Sequence, residues 1–261
     1  MCRDCGCGLG GEDVKIGGHS HDHGHDHHHN DGHCHGDHSH PPAQTVSLNR
    51  SLLEKNDRLA ERNRGFFRAK NLLVLNVVSS PGSGKTTFIY ETAVKLSGKL
   101  RLGVIVGDLA TDNDAARLRK AGIPVVQITT GTVCHLDAEM VSKAASQLDL
   151  DKLDVLVIEN VGNLVCPADY DLGEDLRVVL LSTTEGEDKP LKYPPMFHSA
   201  NVAVVTKTDL ATAAGFNRDQ ALANVKRVSH HARVFELSAR TGDGMKAWLD
   251  FLVQQRETAS K

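Results

Sequence analysis

The feature that most constrains the fold is a glycine-rich turn between an apolar run and a helical pattern. The turn is Ser79-Ser80-Pro81-Gly82-Ser83-Gly84-Lys85-Thr86, and it directly follows the apolar run 72–78. A turn of this composition between a strand and a helix is typical of a P-loop, in which backbone N–H groups surround phosphate oxygens. The sequence therefore predicts a phosphate site where this strand ends and the helix begins.

Short β-branched runs and helical patterns alternate along the rest of the chain. The runs that predict strands are 72–78, 102–106, 125–128, 155–158, 178–181, 202–205 and 234–237. The helical patterns between and after them are 86–96, 112–121, 137–148 and 244–253. Continuous apolar runs indicate strands buried on both faces, and their alternation with helices favours a doubly wound, mostly parallel sheet. We therefore expect an α/β P-loop domain over residues 71–261.

Residues 1–46 have a different composition. Eleven of the 15 histidines lie between His19 and His40, among Gly, Asp, Ser and Asn. Such a segment has too little apolar surface to form a core, so we expect an extension that is disordered without a ligand. From residue 47 to 70, apolar residues recur among charges and predict an amphipathic helix with Ser47 as its N-cap.

Several residues of the turn suit nucleotide binding. Lys85 can reach the β and γ phosphates, and Thr86 offers a hydroxyl to magnesium. Ser79 stands where the general pattern has its first glycine. An ordinary glycine-rich turn is the alternative, and the Lys-Thr pair disfavours it. The predicted contacts to the nucleotide in this turn and the residue after it are Gly82, Ser83, Gly84, Lys85, Thr86 and Thr87.

Two acidic residues end predicted strands. Asp108 and Glu159 should lie at the carboxyl edge of the sheet, where hard cations find oxygen ligands. With Lys85 and Thr86 they form the predicted catalytic and magnesium-binding set, although an acid at a strand end is also common without a metal. Gly162 follows three residues after Glu159, and its N–H is free to approach a phosphate oxygen. We therefore predict that residues 159–162 form a switch that senses the γ phosphate.

Two further turns resemble the base-reading motifs of GTPases. Thr206-Lys207-Thr208-Asp209 and Ser238-Ala239-Arg240 each follow a predicted strand. Asp209 can accept hydrogen bonds that guanine offers and adenine does not, so ATP would leave its carboxylate unpaired. Lys207 should lie against the ring, and the N–H of Ala239 should meet the guanine oxygen. Threonine replaces the usual asparagine at the first position, and the alternative for this motif is a solvated Lys-Asp loop.

The start of the chain is rich in soft metal ligands. The motif Cys2-x-x-Cys5-x-Cys7 brings three thiols within six residues, so they can converge on one ion. A zinc half-site and a redox pair are the alternatives. Neutral imidazoles also suit nickel, zinc or copper, and we expect the histidines to store nickel unless they are an expression tag. These histidines are His19, His21, His23, His25, His27, His28, His29, His33, His35, His38 and His40.

Composition excludes several other classes of protein. The formal net charge is −3 and the basic residues form no stripe, which disfavours a nucleic-acid partner. The sequence has no apolar run of 18 residues and no apolar stretch near Met1, so we expect neither a membrane span nor a secretory signal. A cytoplasmic location follows as an expectation, and there the six cysteines would be reduced and available as metal ligands.

The run Glu159-Asn160-Val161-Gly162-Asn163-Leu164-Val165-Cys166-Pro167 is very similar to the signature of the hydrogenase nickel-incorporation GTPases. These belong to the SIMIBI class of P-loop proteins. The N-terminal cysteine motif, the histidines and Gly131-Thr132-Val133-Cys134-His135-Leu136 also resemble that family. The resemblance covers the entire chain. It implies slow GTP hydrolysis to GDP, GTP-dependent homodimerisation, and delivery of Ni²⁺ to a hydrogenase large-subunit precursor with a partner metallochaperone.

A second metal site is predicted inside the domain. Cys134 and His135 follow the third predicted strand, and Cys166 lies four residues after Gly162, so all three should be near the nucleotide edge. Either cysteine alone would more simply be a small buried side chain. Together, and with the family resemblance, they predict a site for nickel, with zinc possible at rest.

Two other functions remain open from the sequence. Urease nickel-delivery GTPases share the expected fold, but their contiguous Cys-Pro-His motif is not matched, because Ala168 follows Cys166-Pro167. A nickel storage protein with an idle nucleotide fold is disfavoured by the intact set of Lys85, Asp108, Glu159 and Asp209.

Overall fold

The structure is a computed structural model that describes residues 43–108 and 113–259, with side chains described from residue 51 onward. Residues 51–261 form one compact unit, and residues 43–50, which belong to the first fifty, are helical. The predicted ligands Cys2, Cys5 and Cys7 and the histidine-rich stretch lie outside the described residues, so their roles stay predictions.

The centre of the molecule is a seven-stranded sheet in which all paired strands are parallel. The strands are β1 (Leu73–Ser79), β2 (Leu102–Asp108), β3 (Val125–Thr129), β4 (Val155–Glu159), β5 (Leu176–Ser182), β6 (Val202–Thr206) and β7 (Arg233–Glu236). Their order across the sheet is β3-β2-β4-β1-β5-β6-β7. The predicted α/β fold and its seven strands are confirmed, and the strand ends differ by one or two residues.

Helices cover both faces of the sheet. They are α1 (Ala43–Ala69), α2 (Lys85–Leu96), α3 (Asn113–Lys120), α4 (Ala138–Ala145), α5 (Lys189–Lys192), α6 (Pro194–His198), α7 (Arg218–Val228) and α8 (Met245–Ala259). Phe88 of α2 and Trp248 of α8 pack on one face, whereas Phe67 of α1 and Val141 of α4 pack on the other. The strands read as continuous apolar runs because both faces are buried.

The first helix differs from its prediction. It begins at Ala43, so Ser47 lies inside the helix rather than at its N-cap, and residues 43–46 are helical rather than disordered. Pro42 directly precedes the first helical residue in the sequence. A proline is tolerated at the start of a helix because the first N–H groups have no intrahelical partner. Among the described residues, no helix is long and apolar enough to cross a membrane.

The strand order determines where functional groups can meet. β1 lies between β4 and β5, and β2 lies on the other side of β4. Because all strands are parallel, the segments that follow β1, β2 and β4 leave the sheet at one edge. The P-loop and the two predicted acidic residues are therefore brought to the same place.

Candidate nucleotide and metal sites

The P-loop turn depends on two glycines in the left-handed region. Gly82 and Gly84 have φ angles of 72° and 97°, and Gly84 is the N-cap of α2. A side chain at either position would be strained, because L-residues rarely adopt positive φ. The turn therefore presents the backbone N–H groups at the start of α2 toward the cavity above β1, which is the arrangement that favours an anion.

Lys85 is buried at the floor of this turn. Its Nζ donates to Ser79 Oγ over 3.0 Å, and the hydroxyl of Ser83 donates to the same oxygen. Burial lowers the pKa of Lys85, and the nearby carboxylate of Glu159 offsets part of this effect. The small side chain that replaces the first glycine of the P-loop pattern thus gives the ammonium a hydrogen-bond partner.

The hydroxyl of Thr86 lies beside a buried acid. Thr86 Oγ1 donates to Glu159 Oε1 over 2.7 Å, and among the described residues Glu159 Oε2 is buried without a hydrogen-bond partner. Burial raises the pKa of Glu159 to about 7. A buried carboxylate oxygen without a partner is costly unless a cation pairs with it. With Asp108 on the same cavity wall, the oxygen donors fit Mg²⁺.

Two adjoining cavities open at this edge. The phosphate cavity, about 390 Å³, is lined by the P-loop, Asp108 and the residues Glu159–Gly162. The base cavity, about 460 Å³, is lined by Ser83, Lys207, Asp209, Ser238 and Ala239, among others. The residues common to both cavities are Gly84, Thr87 and Arg117. The structure therefore brings all the predicted nucleotide-binding residues to two connected spaces.

The base cavity is tied to the P-loop by hydrogen bonds. Thr206 Oγ1 donates to the carbonyl oxygen of Ser83 over 3.0 Å, and Lys207 Nζ donates to that of Gly82 over 2.7 Å. Thr206 is 3% exposed. The threonine that replaces the usual asparagine therefore still connects β6 to the phosphate turn.

Two residues on the cavity walls were not predicted from the sequence. Asp114, in the first turn of α3, lines the phosphate cavity. Its charge offsets part of the lowering that burial causes in the pKa of Lys85, and adds to the rise that burial causes in the pKa of Glu159. Arg117, one turn later, donates from Nη1 to Thr87 Oγ1 over 2.9 Å and lies 5.1 Å from the ring centre of Tyr90. Their spacing on one helix face after the end of β2 was the available signal.

The three predicted internal metal ligands converge. Cys134, His135 and Cys166 each offer a ligand atom within 4.8 Å of the others, and all three are half-buried. The Sγ atoms of Cys134 and Cys166 are 3.0 Å apart, and neither cysteine forms a disulfide. Burial lowers the pKa of His135, which favours the neutral imidazole that metals bind. Two thiols and one imidazole suit nickel or zinc.

An aromatic ring and an arginine support this internal metal site. Tyr170 stacks on His135 with ring centres 3.9 Å apart. Arg177, buried on β5, donates to the carbonyl oxygens of Ala168 and Tyr170 over 3.1 and 2.8 Å. Its guanidinium also pairs with the buried Glu174 at 2.9 Å. Arg177, whose charge is paired with Glu174, therefore holds the chain that follows Cys166 in place.

A larger cavity, about 590 Å³, opens at the opposite edge of the sheet between the ends of α2 and α3. Its walls include Asp149 and Lys152 but neither the P-loop nor any of the three internal metal ligands. We therefore place the chemistry at the carboxyl edge, where the charged groups and the glycine turn meet.

The chain is similar to known proteins over most of its length. Residues 73–236 match the family model described as CobW/HypB/UreG, nucleotide-binding domain. The hydrogenase maturation factor HypB of Escherichia coli (strain K12) is 42% identical, and the alignment covers 98% of this chain and 99% of that protein. HypB of Azotobacter chroococcum mcd 1 is 51% identical over 82% of this chain and 70% of the relative. The crystal structure of HypB from Helicobacter pylori in complex with nickel has a TM-score of 0.76 at 39% identity, and covers 79% of this chain and 97% of that chain.

Proposed function

The chain belongs to the CobW/HypB/UreG family, within its hydrogenase maturation factor HypB members, and from that premise we propose how its two sites work together. It is a P-loop GTPase with a nickel-delivery role in hydrogenase maturation. The observation that carries the proposal is the chain segment after β4. Glu159, at the magnesium end, and Cys166, at the internal metal site, are separated by only six residues.

We propose that hydrolysis proceeds by direct attack of water, with stabilisation of the phosphate charge and without a covalent enzyme intermediate. Lys85 and the N–H groups of the P-loop hold the charge that develops on the β and γ phosphates. Thr86, Asp108 and Glu159 would hold Mg²⁺, which neutralises phosphate charge when it is bound. Asp114 faces the same cavity and is the residue that we place nearest to the attacking water.

Guanine specificity is proposed to come from the base cavity. Asp209 accepts from the N1–H and amino group of guanine, Lys207 covers the ring, and the N–H of Ala239 meets the guanine oxygen. Adenine lacks the two donors, so its entry would leave the carboxylate without partners, which costs far more than a loss of apolar contact. The positions of these residues on the cavity wall support this assignment.

Nickel is the proposed cargo of Cys134, His135 and Cys166. Three protein ligands leave a position open, which suits an ion that must be passed on, and zinc at rest fits the same donors. We propose that contact with the γ phosphate moves the chain at Gly162, the end of the segment Glu159–Gly162, and thereby changes the affinity for nickel at Cys166. Thermodynamic coupling of this kind is reciprocal, so nickel must also change the affinity for GTP.

The proposed partners follow from this role. They are a second copy of the chain in a GTP-dependent homodimer, a nickel metallochaperone and the precursor of a hydrogenase large subunit, all in the cytoplasm. Outside the described residues, Cys2, Cys5 and Cys7 are proposed as a further nickel site, and the histidines as a store.

The test measures nickel at the internal site in the full chain. Replacing Cys2, Cys5, Cys7 and Cys34 by serine gives a four-serine variant in which thiolate-to-nickel absorption reports only Cys134 and Cys166. In a nickel buffer that fixes the free ion, the affinity is measured with GDP and with a non-hydrolysable GTP analogue. We expect the two affinities to differ by at least about 5-fold. Equal affinities would reject the proposed coupling, and Cys166→Ser in the same background shows which absorption belongs to this site.

A further inference from the structure

One half-buried side chain contacts the chain next to both thiols of the internal metal site. Asn163 Nδ2 donates to the carbonyl oxygen of Cys134 over 3.2 Å. Its Oδ1 accepts from the N–H of Val165 over 2.9 Å, directly before Cys166. The carboxamide of Asn163 therefore bridges the two loops that bring the sulfur atoms together.

The residue before Asn163 is packed against the P-loop. A Cβ placed on Gly162 would lie 3.0 Å from the Cα of Pro81 and 3.1 Å from its nitrogen, closer than ordinary contacts allow. Gly162 also lines the phosphate cavity. A γ phosphate that draws in the N–H of Gly162 must therefore shift the backbone directly attached to Asn163.

A second asparagine in the same segment is fixed in the core. Asn160 is 1% exposed, and its Oδ1 accepts from the N–H groups of Val161 and Leu136 over 2.9 and 3.3 Å. Its Nδ2 donates to Asn76 on the central strand β1 over 3.2 Å. Asn160 thus anchors the chain after His135, while the carbonyl oxygen of Cys134, before His135, accepts from the more exposed Asn163. Movement at Gly162 would therefore reach, through Asn163, the side of the histidine that carries Cys134.

Leu136 strengthens this asymmetry. Its side chain is fully buried and lies so close to Gly107 of β2 that a Cβ there would come within 2.8 Å of it. The chain after His135 is therefore held by packing as well as by Asn160. Cys134, one residue before His135, is the ligand that the bond from Asn163 reaches.

We propose that Asn163 is the positioning residue through which the nucleotide sets the spacing of Cys134 and Cys166. The inference rests on the proposed coupling of nucleotide and nickel and assigns the side chain that transmits it. A shift of Gly162 toward the phosphate changes the bond from Asn163 to the Cys134 carbonyl, so the two thiolates meet a nickel ion at a different separation. Asn163 binds neither the nucleotide nor the metal in this scheme.

The experiment compares Asn163→Asp with a matched control in the four-serine full chain. The aspartate keeps the oxygen that accepts from Val165 and loses the N–H that reaches Cys134. Asn224→Asp on α7 is the control, because it loses an equivalent bond of 2.9 Å to the carbonyl oxygen of Glu187 and keeps its acceptor oxygen. Nickel affinity is measured by thiolate absorption with GDP and with the GTP analogue, and nucleotide affinity is measured without nickel.

We expect the ratio of the two nickel affinities to fall within about twofold of one in Asn163→Asp, against at least about 5-fold in the parent and in Asn224→Asp. Nucleotide affinity without nickel should be unchanged. If Asn163→Asp keeps the parental ratio, even with both affinities lowered, Asn163 is only a structural support and the inference is wrong. A parental ratio of one would instead reject the coupling itself. Asn163→Ala, which adds no charge, must give the same ratio as the aspartate.

Discussion

The phosphate cavity and the internal metal site lie at the same edge of the sheet and are built in opposite ways. The first takes its anion-binding groups from one continuous turn, residues 79–87, and encloses charged groups in the core. The second takes three ligands from two loops that are 31 residues apart in the sequence at their nearest points, His135 and Cys166, and its ligands are half-buried. Phosphate binding therefore depends on groups fixed in one buried turn, whereas metal binding depends on the relative position of two loops.

The contrast also appears in the ionisable groups. Lys85 is 9% and Glu159 is 3% exposed, and burial moves both pKa values toward the neutral forms. At the internal metal site, burial lowers the pKa of His135, which favours the neutral imidazole that binds metal. The phosphate cavity thus holds buried charged groups that a nucleotide and a cation would pair with, whereas at the internal metal site burial favours the metal-binding form of His135. The following predictions test that contrast.

The largest effect is expected for Lys85→Ala. GTP hydrolysis should fall on the order of 1000-fold, because a buried charge that stabilises the transition state is removed. Nickel binding at Cys134 and Cys166 without nucleotide should be unchanged in the four-serine variant. Steady-state phosphate release and thiolate absorption measure the two properties. Loss of both together would mean that the two regions are not separable.

The second effect concerns the stability of the nucleotide-free protein and its dependence on pH. The folded-state pKa of Glu159, about 7, lies above its ordinary value of 4.5. As pH rises from 4.5 through 7, the unfolded chain releases this proton more easily than the folded one, so folding loses stability. Glu159→Gln keeps the shape without the charge. It should raise the free energy of unfolding on the order of 3 kcal/mol at pH 8 and almost not at all near pH 4.5.

Urea unfolding of both proteins between pH 5 and 8, without magnesium or nucleotide, measures this difference. A gain that does not grow with pH would show that Glu159 is not strained by burial. The same replacement at Glu139 on α4, whose side chain is 44% exposed and whose pKa is lowered by hydrogen bonds from Lys143 and Lys55, is the control and should show no comparable increase in stability toward high pH.

A smaller effect is expected for Cys166→Ser. Nickel affinity at the internal metal site should drop roughly 100-fold, because a soft thiolate ligand is replaced by a hard hydroxyl. GTP affinity without nickel should not change, since Cys166 does not line the phosphate cavity. Competition with a chelator and fluorescent-nucleotide titration provide the two values. A large loss of GTP affinity would contradict the division into two regions.

The smallest effect is expected for Thr206→Val. Valine has almost the same shape but cannot donate to the Ser83 carbonyl, so GTP affinity should fall about 5-fold, equivalent to one lost hydrogen bond of about 1 kcal/mol. Thr206→Asn, which restores the usual residue of the motif, should equal or exceed the parental affinity. If valine binds GTP as well as threonine does, the bond from β6 to the phosphate turn has no functional weight.

Sequence patterns predicted most of the fold and the phosphate cavity because those features are local. The strand, the glycine turn and the helix are contained in the 24 consecutive residues 73–96, and parallel strands bring Asp108 and Glu159 to a common edge. To predict that Cys134, His135 and Cys166 converge, one needs the strand order as well as the motifs. The family resemblance supplied that strand order.

Other features could not be predicted because they depend on packing between distant segments. The stacking of Tyr170 on His135 and the bridge made by Asn163 require the exact path of two loops. Arg117 resembles any exposed helix residue until its position between the two cavities is known. Ser47 illustrates the opposite error, in which a good local capping residue is overridden because the helix continues upstream to Ala43.

The short path from Glu159 to Cys166 has a consequence for how such a protein can diversify. An insertion between these positions would lengthen the connection and separate the two activities, even if each site stayed intact. Changes of side chain at Cys134, His135 or Cys166 leave that length alone. A lineage, or an engineer, can therefore exchange the cargo metal by substitution and keep the coupling to the nucleotide, whereas insertions are better placed in surface loops away from this segment.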